Sequence, residues 1–167
     1  MIKEVKSNAE RAELVKVLRD SFATVAEQYN LTEVNAPTNP AFVTMERLAE
    51  YLRKPVELLG LFIEERMIGC IAIEPSKGKA DVYYIERLAV VPQERHHGYG
   101  DSLLSYALDR IKQRGGRIAS IGIIDENHQL KEWYQKKGFI EIGRKRFNHL
   151  PFEVCFMLKE IEGVAPK

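Results

Sequence analysis

The stretch YIERLAVVPQERHHGYGDSLL, Tyr84 to Leu104, changes character twice within a few residues. It opens as an apolar, β-branched run that reads as a strand and breaks at Pro92. It then passes through a loop bearing Gly98 and Gly100 and runs into an apolar pattern of helical period. A strand that ends in a glycine-bearing loop and feeds a helix is an anion site in waiting: the first helical N–H groups lack partners and sit at the positive end of the dipole. Two common phosphate loops are excluded here. Gly98-x-Gly100-x-x-Leu103 lacks the third glycine of the dinucleotide fingerprint, and no Gly-Lys-Ser/Thr follows.

Outward from this segment the periodicity supplies the remaining elements. IKEV near the start reads as a short strand, and Leu14, Leu18, Phe22, Val25 and Tyr29 mark one face of a helix over Asn8–Tyr29. NLTEVNAPTNPA, Asn30–Ala41, reads as an irregular loop, and a shorter helix is expected around Thr44–Arg53. The runs LLGLFIEE, RMIGCIAIE and DVYYIERLAVV, separated by hairpin-sized gaps, predict an antiparallel meander. Leu103, Leu104, Ala107, Leu108 and Ile111 mark the helix that Gly115-Gly116 can close. RIASIGIID is again a strand, NHQLKEWYQKK a short helix closed by Gly138, and FIEIGRKRF with FEVCFMLKE two final strands joined through Asn148–Pro151.

The chain's 167 residues carry 25 Lys and Arg against 24 Asp and Glu, a formal net charge of +1 that gives no support to a nucleic-acid or acidic-membrane partner. With 45% apolar and 29% charged residues the composition is that of a soluble globular protein, expected as a single domain over residues 1–167. No apolar run approaches a membrane span and the N-terminus has no signal-peptide core, so a cytoplasmic location is expected. Cys70 and Cys155 lie in apolar runs and read as core thiols. His96, His97 and His128 offer neither fixed ligand spacing nor a helical i, i+4 pair, and no metal is expected.

The pattern Arg95-x-x-Gly98-x-Gly100, after IERLAVVP and ahead of a helix, resembles the pyrophosphate-binding signature of the GNAT N-acetyltransferase family. ENHQLKEWYQKKGF, with Asn127, Tyr134 and Gly138-Phe139, resembles that family's following helix. His96 and Leu130 depart from it, standing where many members carry glycine and alanine. The resemblance implies an α/β acyl-CoA N-acyltransferase fold, a mixed, twisted sheet of about seven strands flanked by helices. It also implies acetyl-CoA as cosubstrate and a primary amine of a small molecule or peptide as acceptor, in a monomer or homodimer.

By the same resemblance the pantetheine pairs with the backbone of Leu88, Ala89 and Val90. The pyrophosphate rests on the amides of Arg95, His96, His97, Gly98, Tyr99, Gly100 and Asp101, with the Arg95 side chain beside it, and Asn127 contacts the pantetheine. Asn127 also suits the N-cap of its own helix. An acceptor amine must lose a proton, and Glu86, two residues before Leu88 and so expected on the same strand face, is the candidate base; its alternative is a salt-bridged strand glutamate. Tyr134 is the acid by resemblance, and its alternative is a core stripe with Leu130. Phe22, Tyr29 and His149 are the acceptor-side candidates. A non-catalytic acyl-CoA sensor would carry the same loop without using Glu86 or Tyr134.

Overall fold

The structure, a computed structural model, describes residues 1–161. Its strands, in chain order, are β1 (Ile2–Glu4), β2 (Glu57–Ile63), β3 (Arg66–Pro75), β4 (Val82–Val90), β5 (Ile118–Ile124), β6 (Ile140–Arg146) and β7 (Glu153–Glu160). The helices are α1 (Asn8–Gln28), α2 (Met45–Tyr51), α3 (Tyr99–Gln113) and α4 (His128–Lys136). All seven strands form one mixed sheet in the order β1-β2-β3-β4-β5-β7-β6. The expected β2-β3-β4 meander is antiparallel throughout. The β4–β5 pair is parallel, and α3 makes the crossover that a parallel pair requires.

Helices cover both faces of the central strands, which is why β3 reads as a nearly unbroken apolar run. On one face Leu14 and Leu18 of α1 and Leu48 of α2 pack with Leu58, Met67, Cys70, Ala72 and Ala89. On the other, Leu103, Leu104, Ala107 and Ile111 of α3 and Tyr134 of α4 pack with Leu59, Ile71, Ile73, Ile85 and Ile121. The α1 N-terminus is fixed by a capping box: the Ser7 side chain accepts from the Glu10 N–H while Glu10 accepts from the Ser7 N–H. Thr44 caps α2 in the same position, and α3 ends at Gly115 in the left-handed region, as its composition predicts.

The Asn30–Ala41 segment is irregular but packed. Ala36 and Ala41 are buried with Leu31 and Ala26, and Asn39 caps a 3-10 turn over Pro40–Phe42. This lays Ala36, Thr38 and Asn39 along the mouth of the cleft described next. The two cysteines are free and buried, as core thiols should be, and burial pushes the Cys70 thiol up to about 12.

Candidate active site

The cleft is created by a strand pair that starts to zip and stops. Strands β4 and β5 are paired only from Val82–Ile118 to Tyr84–Ser120. Along the other edge of β4, Ala72 faces Glu86 and Cys70 faces Ala89, so Arg87 and Leu88 together oppose Ile71 in a β-bulge. Arg87 takes the left-handed conformation (φ 53°), which costs a non-glycine residue about 1–2 kcal/mol and bends the strand. Past Tyr84 and Ser120 the strands part around a cleft of about 540 Å³, lined by Ile85–Leu88 of β4, Ile121–Ile124 of β5, and Asn127, Leu130 and Tyr134 at the α4 side.

The bulge corrects one expectation. Simple alternation puts Glu86 and Leu88 on one face; the extra residue instead leaves Ile85, Leu88 and Val90 against the α3 side and Glu86 with Ala89 on the α1–α2 side. Both Glu86 and Leu88 still border the cleft. The Tyr51 hydroxyl and Arg87 Nη1 each donate to Glu86 Oε2 at 3.2 Å. Burial first, and then the neighbouring Glu74 carboxyl, raise the Glu86 pKa above the ordinary carboxylate range, against the opposing pull of Arg87. The result is a cleft carboxyl that holds a proton more readily than a surface glutamate.

Across the cleft, Tyr134 is 5% exposed and stacks edge-on against Trp133 and Phe139 at 4.9 and 5.3 Å. Its ring is part of the core, as the stripe with Leu130 implies, and the residue also lines the cleft. Burial raises its pKa, so the phenol stays protonated. Asn127 likewise combines two positions, capping α4 through the Leu130 N–H (3.2 Å) and bordering the cleft.

The loop after β4 makes a 3-10 turn over Pro92–Glu94 and then takes left-handed conformations at His96 (φ 67°) and Gly98 (φ 82°). The first of these explains the glycine that many sequences of this pattern carry where His96 stands. Gly98 is the N-cap of α3 and supplies no side-chain cap, so the first amides of the helix, Tyr99, Gly100 and Asp101, have no intrahelical acceptor. The Asp101 carboxylate would oppose an anion there, but Lys137 pairs with it at 2.6 Å.

Arg95 departs from expectation. Its guanidinium does not stand free beside the loop: Nε donates to the Val90 carbonyl (3.1 Å), Nη1 to Thr24 Oγ1 (3.2 Å) and Nη2 to the Ser21 carbonyl (2.8 Å). A fork of donors beside three acceptors on β4 and α1 becomes a strap between loop and helix. The acceptor-side expectations divide. Phe22 lines the cleft, whereas Tyr29 and His149 do not. Tyr29 packs on the Leu31–Ala36–Ala41 cluster, and the exposed His149 lies against the Phe147 ring at 5.6 Å, leaving Leu150 and Phe152 of its hairpin to face the cleft.

Tyr51, Lys54, Glu74 and Arg87 escaped the sequence reading. A three-residue step from Leu48 to Tyr51 along α2 could have shown that Tyr51 faces inward; nothing in the local pattern marks the Arg87 bulge. Among the described residues, Asp125, Glu141 and Cys155 bring donor atoms within 4.8 Å of one another. The Lys131 ammonium already sits there, 2.7 Å from Asp125 and 3.7 Å from Glu141, and it supplies the positive charge that the carboxylates need.

The model of the Acetyltransferase (GNAT) family matches residues 21–139, which include most of the cleft lining, both flanking strands and the glycine loop. The chain belongs to the GNAT family. An amino-acid acetyltransferase of Pseudomonas putida is 27% identical over 135 residues, 80% of this GNAT chain and 30% of that protein, so the chain spans about a third of the length of the relatives it matches. Solved GNAT structures share the fold. The ribosomal-protein-S18-alanine N-acetyltransferase of Escherichia coli superposes with a TM-score of 0.76 at 14% identity, covering 100% of this chain and 97% of that one. The PaiA N-acetyltransferase of Thermoplasma acidophilum, in complex with coenzyme A, gives 0.68 at 20% identity, covering 96% and 99%. Among the described residues no helix is long and apolar enough to cross a membrane.

Proposed function

We propose that the protein transfers an acetyl group from acetyl-CoA to a primary amine of a small molecule or peptide, by direct attack within a ternary complex. The observation that carries this reading is the splayed β4–β5 cleft with Glu86 on one side and Tyr134 on the other, its strand β4 running on into a loop where the first α3 amides lack intrahelical acceptors. The named activity of the Pseudomonas putida relative supports an amino acid's amine as acceptor.

The β4 edge suits a pantetheine. Val91 N–H bonds to the Ile68 carbonyl, so by strand alternation the Val90 N–H turns to the opposite, cleft edge. There it meets the acetyl carbonyl and stabilises the oxyanion as the tetrahedral intermediate forms. Glu86 takes the ammonium's proton, because an amine of pKa roughly 10.4 is neutral about once in 2,500 molecules at pH 7. The amine nitrogen then forms the C–N bond, the C–S bond breaks, and the electron pair leaves on sulfur, which takes a proton from the Tyr134 hydroxyl; the amide nitrogen gives up its remaining extra proton to solvent, and solvent returns one to the Tyr134 phenolate. Leu88–Val90 hold the pantetheine, and the amides through Asp101 hold the pyrophosphate.

An acetyl-CoA thiol-release assay over a panel of amines tests this, with Tyr134→Phe as control. Turnover of an amine with sequential kinetics is the expected result. A covalent acetyl-enzyme caught by mass spectrometry would overturn direct attack, and acetyl-CoA binding without turnover of any amine would leave a sensor in its place.

A further inference from the structure

Among the described residues, three charged side chains line the cleft: Glu86, Arg87 and Lys54. The two cations have much unspent hydrogen-bonding capacity. Arg87 carries five N–H donors, yet its guanidinium makes a single hydrogen bond among the described residues, from Nη1 to Glu86 Oε2. Its side chain is only 20% exposed and lies over the Tyr51 ring, 3.6 Å from the centroid, so the planar group is held in place rather than waving in solvent. Lys54 Nζ lies 5.7 Å from the same ring and pairs with no carboxylate among the described residues. Lys54 also lines a second, shallower cavity with Glu74, Ser76 and Lys77, where one carboxylate stands against the two ammonium groups.

A half-buried guanidinium with free donors is a poor place to leave empty and a good place for a planar anion, which it meets with two parallel hydrogen bonds. The position of Arg87 narrows the anion further. It adjoins Glu86 in sequence and touches it in space, so an anion on Arg87 lies next to the group assigned to the acceptor's amine. The protein thus presents a carboxylate and a guanidinium side by side. An α-amino acid presents the complement, an ammonium and a carboxylate on one carbon.

We infer that the acceptor amine carries a carboxylate within a few bonds, as a free α-amino acid does, and that Arg87, backed by Lys54, is the specificity-determining anchor for it. This rests on the transferase reading above. The left-handed backbone at Arg87 then has a use: the bulge swings the guanidinium to the edge of the cleft beside Glu86. A second ammonium group on the acceptor would stand against Arg87 and Lys54 in the cleft.

The test compares matched acceptors in the thiol-release assay: the free amino acids, their carboxamides, and the decarboxylated amines. Dipeptides with an acidic second residue separate a free amino acid from a peptide as the source of the carboxylate. For the best amino acid, kcat/KM should exceed that of its carboxamide by about ten-fold or more, the size of one charge-assisted pair. Arg87→Gln should erase that preference by raising the KM of the amino acid about 10–100-fold while moving the carboxamide and acetyl-CoA KM values little. Arg87→Lys, a point charge without the fork, should recover part of it. Loss of the Arg87 pull on Glu86 acts on every acceptor alike, so it cannot mimic a carboxylate-selective loss.

Equal use of carboxylate and carboxamide acceptors, or an Arg87→Gln defect of the same size for both, would overturn the anchor and leave the transferase standing. Calorimetry of the CoA-saturated protein with the same compounds separates the opposite failure. Carboxylate-dependent binding lost in Arg87→Gln, with no turnover of any amine, would retain the anchor and remove the transferase. No carboxylate-dependent binding and no turnover would remove both.

Discussion

In the loop that follows β4 the groups on offer are main-chain amides of one short segment, His96–Asp101, whereas around Glu86 they are side chains drawn from several elements. Glu86 and Arg87 come from β4, Tyr51 from α2, Lys54 from just beyond it, Glu74 from β3 and Phe22 from α1. The backbone end needs only a turn and a helix start, and it suits a ligand group that varies little. The side-chain end needs the whole tertiary fold, and it is where a substrate can be chosen. Arg95 ties the two together, reaching from the loop to the Ser21 carbonyl and Thr24 on α1.

Removing the proposed base should break the comparison most sharply. Glu86→Gln is expected to lower kcat by about 10²–10⁴-fold while leaving the acetyl-CoA KM close to its original value. It should also remove the rise of kcat/KM with pH that the Glu86 carboxyl produces as it deprotonates. The sign for stability runs the other way. Because the folded state raises the Glu86 pKa, its protonated form is the favoured one: its contribution is intact below the unfolded carboxyl pKa and is lost as pH rises through the folded value. Glu86→Gln should therefore melt higher than the parent at pH 7 and no higher near pH 4. A variant that melts lower at pH 7 would show the carboxylate to be a structural ion-pair member instead.

Tyr134→Phe should cost less, about ten-fold in kcat, because a thiol of pKa roughly 8.5 leaves as thiolate with little help. The ring and its stacking on Trp133 and Phe139 survive the change, so thermal stability should hold. A loss of stability with unchanged kcat would make the hydroxyl a structural group.

Arg95→Ala probes the tie itself. Three hydrogen bonds from one guanidinium disappear, and a loss of about 1–3 kcal/mol in stability is expected. Since α1 also carries Phe22 and Val25 on the cleft wall, the amine KM should rise along with that of acetyl-CoA, by a few-fold each. A rise in the acetyl-CoA KM alone, with unchanged melting, would mean that the guanidinium leaves α1 for the phosphates when acetyl-CoA binds.

The same contrast explains what could be read in advance. The glycine loop, the α3 register and the β2-β3-β4 meander are local patterns, and each lies where periodicity and turn residues put it. Glu86 was recognisable as the strand's acidic residue, but its face was not, because a bulge centred on a non-glycine residue has no compositional mark. Arg95 could be placed one turn before α3; which acceptors its side chain finds depends on α1, more than seventy residues earlier in the chain. Tyr29 and His149 were plausible by proximity to the right loops, and the packing of Leu31 and Phe147 turned both elsewhere.

The smallest effect is expected at Tyr51, and it discriminates between two descriptions of the side-chain end. If Tyr51 merely fills space under α2, Tyr51→Phe keeps the ring beneath Arg87 and changes nothing that depends on pH. If its hydroxyl tunes the base, the hydrogen bond to Glu86 Oε2 stabilises the ionised carboxylate, and its removal lets burial and Glu74 raise the pKa further. The acidic limb of kcat/KM should then move to higher pH while the plateau rate above it falls less than about three-fold. An unmoved limb with a lowered plateau would place the hydroxyl with the acceptor rather than with the base.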